Sequence, residues 1–302
     1  MTDPIRFDGR VAVITGAGGG LGRAHALLLA ARGATVVVND LGGSLGGVGG
    51  DNSAAAKVVA EIEAAGGRAL ANVDDISMPA GAQGLIDAAL QAFGRLDVLI
   101  NNAGILRDKT LHKLDPADFE AVVRVHLLGS AWCSRAALVP MQVQRYGRIV
   151  MTTSAAGLYG NFGQSNYSAA KLGVVGLMNT LKVEGAKYGI GVNTIAPVAL
   201  TRMTEGLPFA RMLNEATPDR VAAGVAWLAS AACKESGVIL AAGAGYFSTV
   251  RIVEGQGLHA PVDAVSPEFV ATHWAQIASD AGARAFDNAG AALIDVFATR
   301  PV

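Results

Sequence analysis

Short runs of consecutive apolar residues, rich in valine and isoleucine, alternate along the chain with Ala- and Leu-rich stretches of helical composition. Val11–Thr15 is the first such run, and an unbroken β-branched stretch of that length predicts a strand buried on both faces. A glycine turn over 16–22, a helix over Arg23–Arg32 stopped by Gly33, and a strand over Thr35–Asp40 then complete a βαβ unit. The same rhythm predicts helices over Ala54–Ala65, Ala80–Phe93, Pro116 to about Val139, Ser165–Tyr188 and Pro218 to about Ser230. Strands are predicted over Ala69–Val73, Leu96–Asn101, Arg148–Thr153, Gly191–Ile195 and Gly237–Leu240. The expected fold is therefore α/β, a doubly wound parallel sheet with helices on both faces.

Two stretches break the rhythm. Leu41–Asn52 is a long glycine-rich loop, and beyond Gly243 the alternation is lost except for a helix-like piece over Pro267–Ser279. No internal repeat or linker marks a second independent domain. The expectation is one catalytic domain over 1–302, with 246–302 as a C-terminal extension. A tail of about fifty residues is too short for a core of its own, so it should pack on the sheet or on a partner subunit.

Composition narrows the classes further. The 302 residues are 51% hydrophobic and 16% charged with a net charge of −1, the opposite of a disordered chain. Without a cationic excess, neither nucleic-acid nor polybasic membrane binding is expected. No uncharged apolar run reaches the roughly 18 residues of a spanning helix. Met1–Arg6 lacks the apolar stretch of a signal peptide, and Thr299–Val302 is no peroxisomal address. Cys133 and Cys233 make no disulfide framework and no metal spacing. These features point to a soluble, cytoplasmic protein without a metal.

Candidate chemistry begins at the first turn. Gly16, Gly20 and Gly22 lie between a strand and a helix, where glycine permits a tight turn and lets a pyrophosphate approach backbone N–H groups, Leu21 included, at the positive helix end. Asp40 ends the second strand, at the distance where a carboxylate accepts hydrogen bonds from an adenosine ribose. Its charge would repel a 2′-phosphate and residue 39 is Asn rather than Arg, so NAD is expected over NADP. The alternative for Asp40 is a plain turn-starting role before Leu41-Gly42-Gly43.

Tyr167 and Lys171 stand four residues apart on one helix face. A cation within about 4–6 Å lowers a phenol's pKa, and Tyr167 could then exchange a proton with an alcohol near neutral pH while hydride moves to or from nicotinamide. Ser154 ends the preceding strand, where its hydroxyl can hold the substrate oxygen. Alone, this tyrosine–lysine spacing is what any amphipathic helix surface contains.

As a set the motifs say more. Thr15–Gly22, Asn101-Asn102-Ala103-Gly104, Ser154, and Tyr167 with Lys171 resemble the short-chain dehydrogenase/reductase superfamily in order and spacing, over residues 6 to about 245. Asn39–Gly43, Asn101–Asp108, Tyr159–Lys171, Asn193–Pro197 and Arg202–Thr204 look more narrowly like the (3R)-hydroxyacyl-CoA dehydrogenase unit of type 2 multifunctional enzymes, as does the tail at Gly243–Gly245, Pro267-Glu268 and Trp274. The resemblance implies a Rossmann-like fold and NAD-dependent interconversion of (3R)-3-hydroxyacyl-CoA and 3-oxoacyl-CoA. It implies that Gly16, Gly20 and Gly22 shape the pyrophosphate turn, Asp40 binds the adenosine ribose, Asp75 and Ile76 flank the adenine, and Asn102 lines the cleft. Ser154 would orient the substrate oxygen, Tyr167 act as acid/base, Lys171 bind the nicotinamide ribose, and Thr201 face the carboxamide and phosphates.

Two departures stand out. His126 replaces the Asn with which most of the superfamily holds a proton-relay water, although the type 2 enzymes resemble this chain there; the alternative is a satisfied core histidine. Val198 replaces the usual Gly after Pro197. Tyr159 and Phe162 are expected at the substrate cleft, and Arg202, Arg211 and Arg251 are candidates for the CoA phosphates. An acyl-CoA thioester is the expected small-molecule partner, and a homodimer the expected assembly, with a tetramer as the alternative. Other functions left open are a 17-hydroxysteroid dehydrogenase, a 3-oxoacyl thioester reductase, and a non-catalytic cofactor-binding structural protein.

Overall fold

A computed structural model describes residues 3–51, 53–199 and 216–298. The chain divides at Thr249/Val250 into two compact units. The first contains, in order, β1 (Val11–Thr15), α1 (Gly20–Ala31), β2 (Thr35–Asn39), α2 (Ser53–Ala64), β3 (Arg68–Asn72), α3 (Pro79–Phe93), β4 (Val98–Asn101), α4 (Pro116–Val123), α5 (Gly129–Gln144) and β5 (Gly147–Thr152). It continues with α6 (Ala155–Tyr159), α7 (Ser165–Ala186), β6 (Ile190–Val198), α8 (Pro218–Ala229), β7 (Ile239–Gly243) and all but the last residue of β8 (Tyr246–Val250). The second holds the short helices α9 (Pro267–Thr272) and α10 (Trp274–Ile277), and α11 (Ala289–Ala298).

The sheet runs in the order β3-β2-β1-β4-β5-β6-β7-β8, and every pairing from β3 to β7 is parallel. All five residues of β1, all four of β4 and all six of β5 are buried, as strands covered on both faces must be. Val13, Leu99 and Ile149, together with Ile14, Ile100 and Val150, are fully enclosed. Strand order reverses between β1 and β4, and the crevice beyond the carboxyl ends of strands at such a switch is where open α/β sheets take ligands.

Four features depart from the sequence reading. The single long helix expected from Pro116 is interrupted by a π-helical turn over Arg124–Leu128, an insertion that side-chain periodicity does not reveal. The alternation does not end at Gly243, because β8 follows β7 through Ala244 and Gly245, both at positive φ, a two-residue loop that can only make an antiparallel hairpin. The expected tail helix is split into α9 and α10 at His273. Finally, α11 forms from a segment that read only as Ala/Gly-rich.

Candidate active site

The glycine turn is built by backbone contact. A Cβ on Gly22 would lie 2.2 Å from the Gly16 carbonyl oxygen, and one on Gly16, itself at φ +63, would lie 2.7 Å from Ala103 Cα. Thr15, which opens the glycine motif but had no role of its own in the sequence, fastens the neighbouring strand end: its Oγ1 accepts from the N–H groups of Asn102 (3.0 Å) and Ala103 (3.1 Å). Asn102 Nδ2 donates to the carbonyls of Thr15 and Gly16, each at 3.0 Å, so this amide braces the turn as well as lining the cleft. Among the described residues, no side chain caps α1, whose N-cap is Gly19. Gly19, Gly20 and Leu21 instead face a cavity of about 540 Å³, and uncapped N–H groups at a helix start are a seat for an anion.

The same cavity is lined by Asp40, Asp75, Ile76, Asn102, His126, Tyr167 and Lys171, so the structure collects nearly every predicted site residue around one space. Asp40 projects between two backbone donors, with Oδ2 accepting from Gly18 N and Oδ1 from Gly42 N, both at 2.7 Å. Asp75 Oδ1 accepts from Ser77 N, and Ile76 packs where a Cβ on Gly129 would stand. A glycine cradle, free amides at a helix start, and a carboxylate facing the same cavity fit a nicotinamide dinucleotide.

Ser154 caps α6, its Oγ accepting from Ala156 N at 3.2 Å, and the same hydroxyl is near enough to the Tyr167 phenol to lower its pKa. Lys171 is buried at 3% exposure, and its Nζ donates to the Thr152 carbonyl at 2.6 Å. Burial brings this ammonium down to about 7. The Nζ lies 5.6 Å from the Tyr167 ring centroid. This corrects one expectation: the phenol is not made more acidic by its lysine neighbour. Burial pushes the Tyr167 pKa up, the Ser154 hydrogen bond pulls it partly back, and the Asp108 charge adds to the rise.

His126 sits in the π-turn, its ring edge-on to Tyr167 with centroids 5.1 Å apart. Nε2 contacts the Ile105 backbone at both the carbonyl (2.8 Å) and the N–H (3.1 Å), while Nδ1 is buried without a hydrogen-bond partner among the described residues. Burial, helped by the Lys171 charge and opposed by the Ile105 bond, holds the imidazole well below its ordinary pKa, so it is neutral. Of the two atoms, only Nδ1 is open for a proton relay.

Tyr159 and Phe162 are 73% and 88% exposed and, like Ser154, are not among the residues that line this cavity. Thr201, Arg202 and Arg211 lie outside the described residues, and Arg251 belongs to the second unit. The sequence reading passed over Arg107, Glu120 and Arg124, which line the cavity from α4 and the segments flanking it; only the folded chain brings them to the strand ends. No helix among the described residues is long and apolar enough to cross a membrane, and no cluster among them could hold a metal ion.

Comparison with known proteins agrees with this geometry. The family profile described as short chain dehydrogenase matches residues 10–208. The chain is 50% identical over 279 residues to the peroxisomal multifunctional enzyme type 2 of Mus musculus, covering 92% of this chain and 38% of that protein. The full-length peroxisomal multifunctional enzyme type 2 of Drosophila melanogaster superposes with a TM-score of 0.82 at 38% identity, over 97% of this chain and 50% of that one. A 7α-hydroxysteroid dehydrogenase complexed with NADH and 7-oxo glycochenodeoxycholic acid superposes with a TM-score of 0.71 at 30% identity, over 81% of this chain and 98% of that one. The chain thus spans half or less of the length of these two multifunctional relatives. Its glycine turn, its serine–tyrosine–lysine group and its likeness to these proteins make it a member of the short-chain dehydrogenase/reductase family, and a dehydrogenase.

Proposed function

We propose that the chain is an NAD-dependent dehydrogenase that interconverts a (3R)-3-hydroxyacyl-CoA and its 3-oxoacyl-CoA, in fatty-acid or sterol side-chain degradation. The observation that carries this reading is the grouping of Ser154, Tyr167 and Lys171 beside a cavity whose walls also hold Asp40 and the glycine turn. The likeness to multifunctional enzyme type 2 supports the substrate class. The working assembly in this reading is a homodimer, and the two free, buried cysteines suit a reducing compartment.

Nicotinamide supplies the hydride acceptor or donor when bound. The chain supplies the rest: Ser154 orients the substrate oxygen, and Tyr167 holds the proton that this oxygen gains or loses. Because burial raises the phenol's pKa, Tyr167 is protonated at neutral pH and stands ready as the acid for ketone reduction. Lys171 is held in place by the Thr152 carbonyl, where it can bind a ribose hydroxyl.

A panel of 3-hydroxyacyl-CoA thioesters, in both enantiomers and several chain lengths, tests the reading by absorbance at the NADH band. The expected outcome is turnover of the (3R) series; oxidation of (3S) thioesters alone would refute it. The 7α-hydroxysteroid dehydrogenase likeness favours a steroid alcohol as the second reading, and a hydroxysteroid in the same panel decides between them by kcat/KM.

Cofactor choice is a separate measurement. NADH should bind more tightly than NADPH, and Asp40→Ser should weaken NADH by about 10–100-fold, the worth of hydrogen bonds to a charged group. Equal affinity of the unaltered protein for the two coenzymes would remove Asp40 from the ribose.

A further inference from the structure

One wall of the cavity is the glycine-rich loop 41–51, from which Leu41, Gly43, Ser44, Leu45 and Gly47 face the space. Its ends meet: a Cβ on Gly42 would lie 2.1 Å from the Asp51 carbonyl oxygen, and one on Gly50 would lie 3.0 Å from that of Leu41. Closed ends make it an Ω-loop. Ser44 organises the interior, its N–H donating to the Val48 carbonyl, its carbonyl accepting from Gly47 N, and its Oγ accepting from Val48 N. Six of the eleven residues are nevertheless glycine, and such a segment has much conformational freedom to lose. Contacts made outside the loop therefore decide whether it stands as a wall.

Those contacts converge on the segment after β4. Leu106 N donates to the Leu45 carbonyl at 3.0 Å, and the Ile105 side chain lies 2.9 Å from where a Cβ on Gly47 would be. Arg107 makes the longest reach. Its Nε donates to the Gly46 carbonyl at 2.9 Å, and its Nη1 pairs with Asp118 Oδ1 on α4 at 3.0 Å. Its own carbonyl accepts from Asn166 Nδ2 at 3.0 Å, and Asn166 Oδ1 accepts from Tyr167 N at 2.8 Å. One residue thus ties the loop, α4 and the start of the helix carrying Tyr167.

We infer that Arg107 is a positioning residue that clamps the glycine-rich loop to α4, so that the loop stands as a coenzyme-side wall in the free protein. Its consequence for coenzyme affinity rests on the dinucleotide reading above; the clamp itself does not. Arg107→Ala leaves Asp118 paired with Lys109 at 3.6 Å, so the fold should survive.

The test is hydrogen exchange across 41–51 in the full chain without coenzyme, together with NADH titration and steady-state kinetics. In Arg107→Ala, loop amides should exchange about tenfold faster, the fold-change that one charge-assisted hydrogen bond supports. NADH should bind more weakly, with KM for the coenzyme rising more than kcat falls. Asp118→Asn, which keeps Arg107 and its backbone bonds, should move all three readings the same way but less. Unchanged loop exchange in Arg107→Ala would overturn the clamp. Arg107→Lys keeps the cation but cannot span both partners; full recovery of NADH affinity there, with the loop still exchanging fast, would assign the effect to charge and overturn the positioning role. If the unaltered protein binds no NADH, the dinucleotide reading fails, and loop exchange alone still decides the clamp.

Discussion

Tyr167→Phe should lower turnover by about 10²–10⁴-fold, the contribution of a positioned general acid or base, while NADH affinity stays near that of the unaltered protein. The change removes one hydroxyl and leaves the ring edge-on to His126. Among the described residues Ser154 is the side chain that acts on this hydroxyl by hydrogen bonding, so the stability cost is about 0.5–1.5 kcal/mol, too little for unfolding to mimic lost chemistry. Coenzyme titration beside steady-state rates separates the two. Near-normal turnover in the phenylalanine variant would take the acid/base role away from residue 167. Since burial raises the phenol's pKa, alcohol oxidation by the unaltered protein should also quicken as pH climbs.

Lys171→Met should abolish most turnover and yet make the free protein more stable at pH 6. Burial lowers this lysine from 10.5 to about 7, which corresponds to a cost of about 4–5 kcal/mol for keeping the ammonium inside at pH 6. Methionine removes that cost but leaves the Thr152 carbonyl without its 2.6 Å donor, a loss of about 1–3 kcal/mol. The net gain is about 1–4 kcal/mol at pH 6. The sign follows from proton counting: between pH 7 and 10.5 the unfolded lysine holds more protons than the folded one, so the unaltered protein gains stability as pH rises through that window. The methionine variant lacks this gain, and near pH 10 its advantage should reverse. Thermal melts of both proteins at pH 6 and pH 10 measure the effect; a variant that melts lower at pH 6 would mean that the buried ammonium is not destabilising.

Much of this was legible in the chain because it depends on local spacing. Val11–Thr15 and Val98–Asn101 declare themselves as enclosed strands by unbroken apolar runs, and the glycines at 16, 20 and 22 lie where a strand must turn into a helix. The four-residue step from Tyr167 to Lys171 does put both on one helix face, but spacing does not say where a four-carbon side chain ends. Here the Nζ turns to Thr152, and burial outweighs the charge that was expected to act on the phenol. The π-turn at Arg124–Leu128 leaves no trace in the hydrophobic pattern; it ends at Gly129, where the Ile76 side chain fills the place a Cβ would take. The contact between loop 41–51 and Arg107 joins segments some sixty positions apart, beyond the range of any periodicity. The β7–β8 hairpin did carry a local signal, in the residues Ala244-Gly245 followed by Tyr246–Val250, which the Ala/Gly-rich background obscured.

The carboxylate of Asp40 has one more implication. An ionised carboxyl offers about four acceptor positions, and Gly18 and Gly42 occupy one on each oxygen. In the dinucleotide reading proposed above, the remaining two would serve the two adjacent hydroxyls of a vicinal diol. A guest sugar would meet a receptor whose rotamer was frozen during folding, so little ordering is left to be done on arrival. The same arrangement makes the side chain a keystone of two loops, and a neutral replacement there should loosen the protein even in a solution that contains no nucleotide.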